Sequence, residues 1–258
     1  MSRIEQLFQK KKNNILSIYF TAGFPELNST LLLLKFLQQR GADMVEIGIP
    51  YSDPLADGPV IQQSSSKALQ NGMTIETLFA QLNDFRKDAS LADFPVILMG
   101  YLNPVLQYGF EKFCSDASSL GVDGLIIPDL PQHEFEREYG SIIRKYGLNF
   151  SFLVAPETGN ERIKKLDELS SGFLYAVSSS STTGSQKNLS DVESFLKRLN
   201  VLQLKKPVLA GFGIKDKQSF EAVCQYAHGG IIGTAFIKAI ADSKNLNQAV
   251  DSFLKSLK

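Results

Sequence analysis

Short apolar runs alternate along the chain with longer stretches of helical periodicity. Eight runs rich in Ile, Val, Leu and Phe stand out: ILSIYF (15–20), MVEIGI (44–49), PVILM (95–99), GLIIP (124–128), NFSFLV (149–154), FLYAV (173–177), PVLAG (207–211) and GGIIG (229–233). They show little strict alternation of apolar and polar residues, which predicts strands buried on both faces, as in parallel sheets. Amphipathic segments fill the gaps at 27–40, 60–70, 74–88, 109–119, 132–146, 159–170, 189–200, 215–226 and 234–256. Gly41, Gly121 and Gly147 follow three of them, where a glycine commonly ends a helix. Eight strand–helix units with no long Pro- or Ser-rich linker predict an α/β fold, a right-handed (β/α)8 barrel filling 1–258 as a single domain. An extra helix at 2–11 would cover the N-terminal mouth. A doubly wound open sheet is the alternative, but the first strand leads into TAGFP (21–25), which lacks the dinucleotide glycine spacing.

Composition narrows the function classes. Of 258 residues, 43% are hydrophobic and 21% charged, so neither a disordered nor a low-complexity chain is expected. Twenty-seven Lys+Arg balance 27 Asp+Glu, and a formal net charge of zero gives no long-range pull toward nucleic acid or anionic lipid. The two cysteines, Cys114 and Cys224, fit no metal-ligand spacing, and only His133 and His228 offer imidazoles, so a multi-histidine metal site is excluded. The N-terminus MSRIEQLFQKKKNN has no apolar core of a signal peptide, and no apolar run nears the roughly 18 residues that span a bilayer. A soluble cytoplasmic protein is the expectation.

Candidate chemistry collects at the C-terminal ends of the predicted strands, where barrels of this type carry it. The seventh strand runs into Gly211-Phe212-Gly213, and the eighth into Gly233-Thr234 before a helix. STTGS adds Gly184 and hydroxyls after the sixth strand. Glycines let backbone N–H groups approach an anion, and a helix N-terminus adds a favourable dipole, so these turns predict a phosphate cradle. In the second strand Glu46 interrupts an apolar run, where an ionised carboxylate is costly to bury. Alternation puts it on the face of Met44 and Gly48, and a carboxyl lodged inside the barrel would have a raised pKa suited to acid–base work. The following loop, PYSDPLADGP, holds Asp53 and Asp57 between prolines, with Gly58 as a hinge.

The segment VEIGIPYSDPLADGPVIQ closely resembles the signature of the tryptophan synthase alpha subunit family. The resemblance continues through FTAGFP, MGYLNPVLQYG, GLIIPDLP, SSSSTTG, GFGI and IGTAF. It implies a (β/α)8 barrel that splits indole-3-glycerol phosphate into indole and glyceraldehyde 3-phosphate. It also implies a pyridoxal-phosphate beta subunit as partner, in an α2β2 complex, and no cofactor in this chain. By the same resemblance Glu46 is the catalytic acid/base and Asp57 assists at the indole nitrogen. Tyr175 lies near the glycerol portion. Tyr19, Thr21, Met99, Ile126, Phe212 and Ile232 line the indole pocket or its neighbourhood. Gly184, Gly213, Gly233 and Thr234 form the phosphate cradle, with threonine where serine is more usual. Asp53 and Asn103-Pro104 face the beta subunit. One departure concerns the loop after the sixth strand, which reads Ser178 to Thr183 before Gly184, without the arginine many members carry.

The chemistry is consistent with this resemblance. Aldol-type cleavage needs an electron sink, supplied elsewhere by a Schiff-base lysine or a metal. No lysine sits at the predicted strand ends, and Lys205, Lys206 and His228 precede strands at the opposite mouth. Protonated at C3, indole-3-glycerol phosphate becomes its own sink, so an acid at C3 and an anion near N1–H suffice, with a base for the glycerol hydroxyl. Two other readings compete. One is a different phosphate-sugar barrel enzyme, disfavoured by SDPLADGP and the missing strand-end lysine. The other is a catalytically weak subunit acting mainly as activator of the beta subunit, suggested by the serine-rich loop.

Overall fold

The computed structural model describes residues 1–177, 189–211 and 213–257. Nine parallel strands form one sheet: β1 (Ile15–Thr21), β2 (Met44–Gly48), β3 (Val96–Met99), β4 (Gly124–Ile126), β5 (Asn149–Phe150), β6 (Leu153–Val154), β7 (Leu174–Ala176), β8 (Val208–Ala210) and β9 (Gly229–Ile232). Their spatial order is β5-β4-β3-β2-β1-β9-β8-β7-β6. The two outermost strands, β5 and β6, are halves of the single run expected at 149–154. The sheet therefore closes on itself through Ser151 and Phe152, giving the eight staves of a (β/α)8 barrel.

The fifth stave is split for a local reason. Phe150 and Phe152 donate their backbone N–H groups to the hydroxyls of Ser171 (2.8 Å) and Ser170 (3.2 Å), which replace ladder partners there. Pairing resumes on the far side, where the Tyr175 N–H donates to the Phe152 carbonyl at 2.9 Å.

Helices cover the outside of the barrel, and the strands are buried apart from half-buried Met99 and Leu153, as runs apolar on both faces require. Two expected segments differ in detail, and one helix is unexpected. The pattern at 234–256 is two helices, Thr234–Ala241 and Leu246–Lys255. Asn245 starts the second by accepting the Gln248 N–H, and Phe236 and Phe253 pack the pair with ring centroids 5.3 Å apart. A helix at Leu102–Tyr108 precedes Phe110–Leu120; Pro104 hides it in the sequence yet sits in its first turn, where no amide is needed. The segment 74–88 gives one helix, Ile75–Leu82, followed by 3-10 turns at Phe85–Lys87 and Ala89–Leu91.

The expected N-terminal helix is present at Arg3–Lys10, opened by a capping box between Ser2 and Glu5. It closes the N-terminal mouth by burying Ile4 beneath Gly124. Arg3 Nη1 meets Asp123 Oδ1 at 2.9 Å, and Arg86 Nη2 meets Oδ2 at 2.6 Å. The Val96 N–H also donates to Asp123 Oδ2, at 2.8 Å. No helix among the described residues is long and apolar enough to cross a membrane.

Candidate active site

Strand register decides what the barrel encloses. In the β1–β2 pairing Ser17 stands opposite Met44, Tyr19 opposite Glu46 and Thr21 opposite Gly48. These alternate residues point inward, because a Cβ added at Gly48 would lie 2.2 Å from the Tyr19 hydroxyl. Two more close approaches complete the interior. A Cβ at Gly211 would lie 2.4 Å from the Tyr175 ring, and one at Gly233 would lie 3.1 Å from Tyr19. Both tyrosine rings thus lie where three strand ends lack side chains, one layer around Glu46.

Glu46 is fully buried. Ser17 Oγ donates to its Oε1 at 2.8 Å, while Oε2 has no hydrogen-bond partner. Loss of water raises its pKa to about 8, against a smaller lowering by the Ser17 bond. Burial likewise raises Tyr19 and Tyr175, and the proximity of Glu46 and Asp57 adds to the rise at both. Both tyrosines are therefore neutral hydroxyls at any ordinary pH.

Asp57 reaches this layer from the loop after β2. Tyr101 Oη donates to Asp57 Oδ2 at 3.1 Å and accepts the Ala56 N–H at 3.0 Å, so one phenol holds both backbone and carboxylate of the loop. Gln62 Nε2 donates to the Asp57 carbonyl at 2.9 Å from the next helix, Pro59–Gln70. Partial burial raises the Asp57 pKa to about 6, and the Tyr101 bond works against that rise. Asp53 stays exposed at the loop surface, taking the Ser52 hydroxyl at 2.5 Å.

Thr21, at the end of β1, is buried and lies 2.6 Å from Ser64 Oγ. Ser64 gives its own proton to the Ile61 carbonyl at 2.8 Å, so Thr21 is the donor between them. Half-buried Met99 and buried Ile126 end β3 and β4 on the inward face, in register with Gly48. Ile232 departs from expectation. It pairs with Ile18, and a Cβ at Gly230, two residues earlier on the same face, would meet Ile214 and Phe220 in the helix layer. The inward residue is its neighbour Ile231, opposite Ser17. A strand's period of two flips a side chain to the other face with a one-residue slip.

Gly213 has φ +46°, with open space where a Cβ would be. Gly233 precedes the helix Thr234–Ala241, whose exposed N-terminus has no side-chain cap. Its first amides are thus available to an anion. Gly184 and Phe212 lie outside the described residues. Lys205, Lys206 and His228 sit at the far mouth, lining with Lys12 a cavity of about 340 Å³. A second cavity, about 420 Å³, is bounded by Tyr51, Asp53, Met73, Asn103, Pro104 and Tyr108 among others. It lies on the rim, and neither Glu46 nor the two barrel tyrosines line it. Sequence reasoning missed Ser17, Tyr101, Ser64 and Ile231; Tyr101 stands within MGYLNPVLQYG without a role assigned to it, and only the register and the loop path bring the four in.

A closed parallel barrel with a buried, unpaired glutamate and a loop carboxylate at its C-terminal mouth is the constellation of a barrel enzyme working by acid–base chemistry. The sequence profile of the tryptophan synthase alpha chain matches residues 4–257. Tryptophan synthase alpha chain from Parabacteroides distasonis is 48% identical over 259 residues, spanning 100% of both chains. That of Flavobacterium johnsoniae is 50% identical over 244 residues, covering 94% of this chain and 95% of its own. Among solved structures, tryptophan synthase subunit alpha from Legionella pneumophila superposes with a TM-score of 0.91 at 35% identity, covering 100% of this chain and 97% of its own. Mycobacterium tuberculosis tryptophan synthase gives 0.88 at 29% identity, covering 99% and 96%. The chain belongs to the tryptophan synthase alpha chain family. Its reaction is the alpha reaction of tryptophan biosynthesis, the lyase cleavage of indole-3-glycerol phosphate to indole and glyceraldehyde 3-phosphate.

Proposed function

We propose that Glu46 and Asp57 divide the work of this cleavage. One observation carries the division: Glu46 is fully buried with Oε2 unpartnered, whereas Asp57 sits on a partly exposed loop and accepts the Tyr101 hydroxyl, so burial raises Glu46 further, to about 8, than Asp57, to about 6. Near pH 7 Glu46 is a neutral acid and Asp57 an anion, which is how such a pair assigns its own roles. Glu46 delivers its proton to C3 of the indole ring. The ring becomes a cationic indolenine and draws in the electrons of the breaking C–C bond. Asp57 stabilises the positive charge at N1–H. Glu46, now ionised, is the candidate base for the glycerol hydroxyl whose proton must leave as the aldehyde forms.

Tyr19, Thr21, Met99, Ile126 and Phe212 surround the indole, with Ile231 in the place assigned above to Ile232. Tyr175 lies by the glycerol chain. Gly213, Gly233 and Thr234, with Gly184, hold the phosphate. The reaction needs no cofactor in this chain. Asp53, Asn103 and Pro104, with the rim cavity beside them, form the face for a pyridoxal-phosphate beta subunit in an α2β2 assembly. Leu55, 85% exposed at the loop tip, gives that face an apolar contact. The whole chain works as one barrel domain, in the cytoplasm.

Glu46→Gln tests this reading. Indole release should fall by about three orders of magnitude, in the range removal of a proton donor costs, while substrate still binds. Near-normal turnover would remove Glu46 from the mechanism.

A further inference from the structure

Glu46 has a second relationship that the division of roles leaves unexplained. A carboxyl group can carry its proton on either oxygen, and only one of them can face the carbon to be protonated. Ser17 lies on β1, one inward layer deeper than Tyr19, and is fully buried. Its hydroxyl donates to Glu46 Oε1 at 2.8 Å. Oε2, equally buried, has no partner. Among the described residues, Tyr19 from β1 and Tyr175 from β7 interact with Glu46, Asp57 from the loop interacts with both tyrosines, and none of these groups is a cation. Ser17 is thus the one group among the described residues with a hydrogen bond to the carboxyl.

We infer that Ser17 is a positioning residue for the cleavage: by holding Oε1 as an acceptor, it places the transferable proton on Oε2. The argument is one of donor and acceptor capacity. In the protonated acid the carbonyl oxygen is the better acceptor and the hydroxyl oxygen bears the hydrogen. With the Ser17 hydroxyl donating to Oε1, Oε1 is the carbonyl and Oε2 the acid. The same bond pins the carboxyl plane, so the proton keeps one direction between turnovers. It is also stronger to the carboxylate than to the neutral acid, which offsets part of the effect of burial and eases release of the proton.

This inference rests on Glu46 being the proton donor, so the two are tested together. Steady-state rates over a pH series are measured for the full chain and for Ser17→Ala, Ser17→Thr and Glu46→Gln. Ser17→Ala should lower kcat by about tenfold, because the bond it removes strengthens as the carboxyl gives up its proton, with KM within about twofold. The high-pH limb of its kcat profile should move upward, because nothing then favours the carboxylate. Ser17→Thr, which keeps the hydroxyl, should recover most of the rate and the original limb. Ser17→Ala with unchanged kcat and an unmoved limb, while Glu46→Gln is inactive, overturns the role of Ser17 alone. Equal losses in both Ser17 variants with an unmoved limb assign the residue to packing and also overturn it. An active Glu46→Gln overturns both readings.

Discussion

Two buried carboxylates sit at opposite ends of the same barrel and are treated in opposite ways. Asp123, at the N-terminal mouth, is closed in by Arg3 and Arg86 and by the Val96 amide. Glu46, near the C-terminal mouth, has a single hydroxyl on one oxygen and nothing on the other. Burial of a charge is tolerated when cations and amides replace the lost water, and it drives neutralisation when they do not. Asp123 therefore ties the N-terminal helix to the staves. Glu46 holds a proton where a carboxyl would normally have lost it. The difference lies in the partners, since both side chains are nearly inaccessible to solvent.

The contrast breaks most visibly at Asp123. Asp123→Ala leaves two arginines facing each other without their anion, and should destabilise the fold by about 3–5 kcal/mol in denaturant titration. Turnover per folded molecule should change less than about twofold; a stable variant would show that this network does not hold the mouth closed.

The next largest effect belongs to Glu46→Gln and depends on pH. Glu46 titrates near 8 in the folded chain and near its ordinary 4.5 when unfolded. Its contribution to stability is fully present below 4.5 and is lost as pH rises through about 8. Glutamine does not titrate. Relative to the parent, the variant should therefore gain stability progressively above 4.5, reaching a few kcal/mol past pH 8. A stability difference independent of pH would mean that Glu46 is not held neutral.

The smallest effect sharpens the pairing with Asp57. Tyr101→Phe removes the bond that favours the Asp57 carboxylate, so the Asp57 pKa should rise above about 6. Turnover at pH 7 should fall about two- to threefold, with the acid limb of the kcat profile moving upward. An unmoved limb would separate Asp57 from that limb.

Much of this arrangement was legible in the sequence because it rests on local signals. Eight apolar runs without alternation announced staves buried on both faces, and Glu46 was visible as a carboxyl inside one of them. The loop with Asp57 was bracketed by prolines. What escaped depends on register and on contacts between distant segments. Ser17 is 29 residues from Glu46, and Tyr101 is 44 from Asp57. Both are unremarkable polar residues until the strands are aligned. Ile231 and Ile232 are chemically identical neighbours, and only pairing with β1 reveals which faces inward. The break at 242–245 is concealed because apolar periodicity continues on both sides of it.

The central claim is that Glu46 remains a neutral acid at the pH where the enzyme works. Carboxyl carbon chemical shifts, followed by NMR through a pH titration with Glu46→Gln as the assignment control, measure this directly. The account predicts that the Glu46 signal moves with a midpoint near 8. A midpoint in the ordinary glutamate range, about 4 to 5, would contradict it.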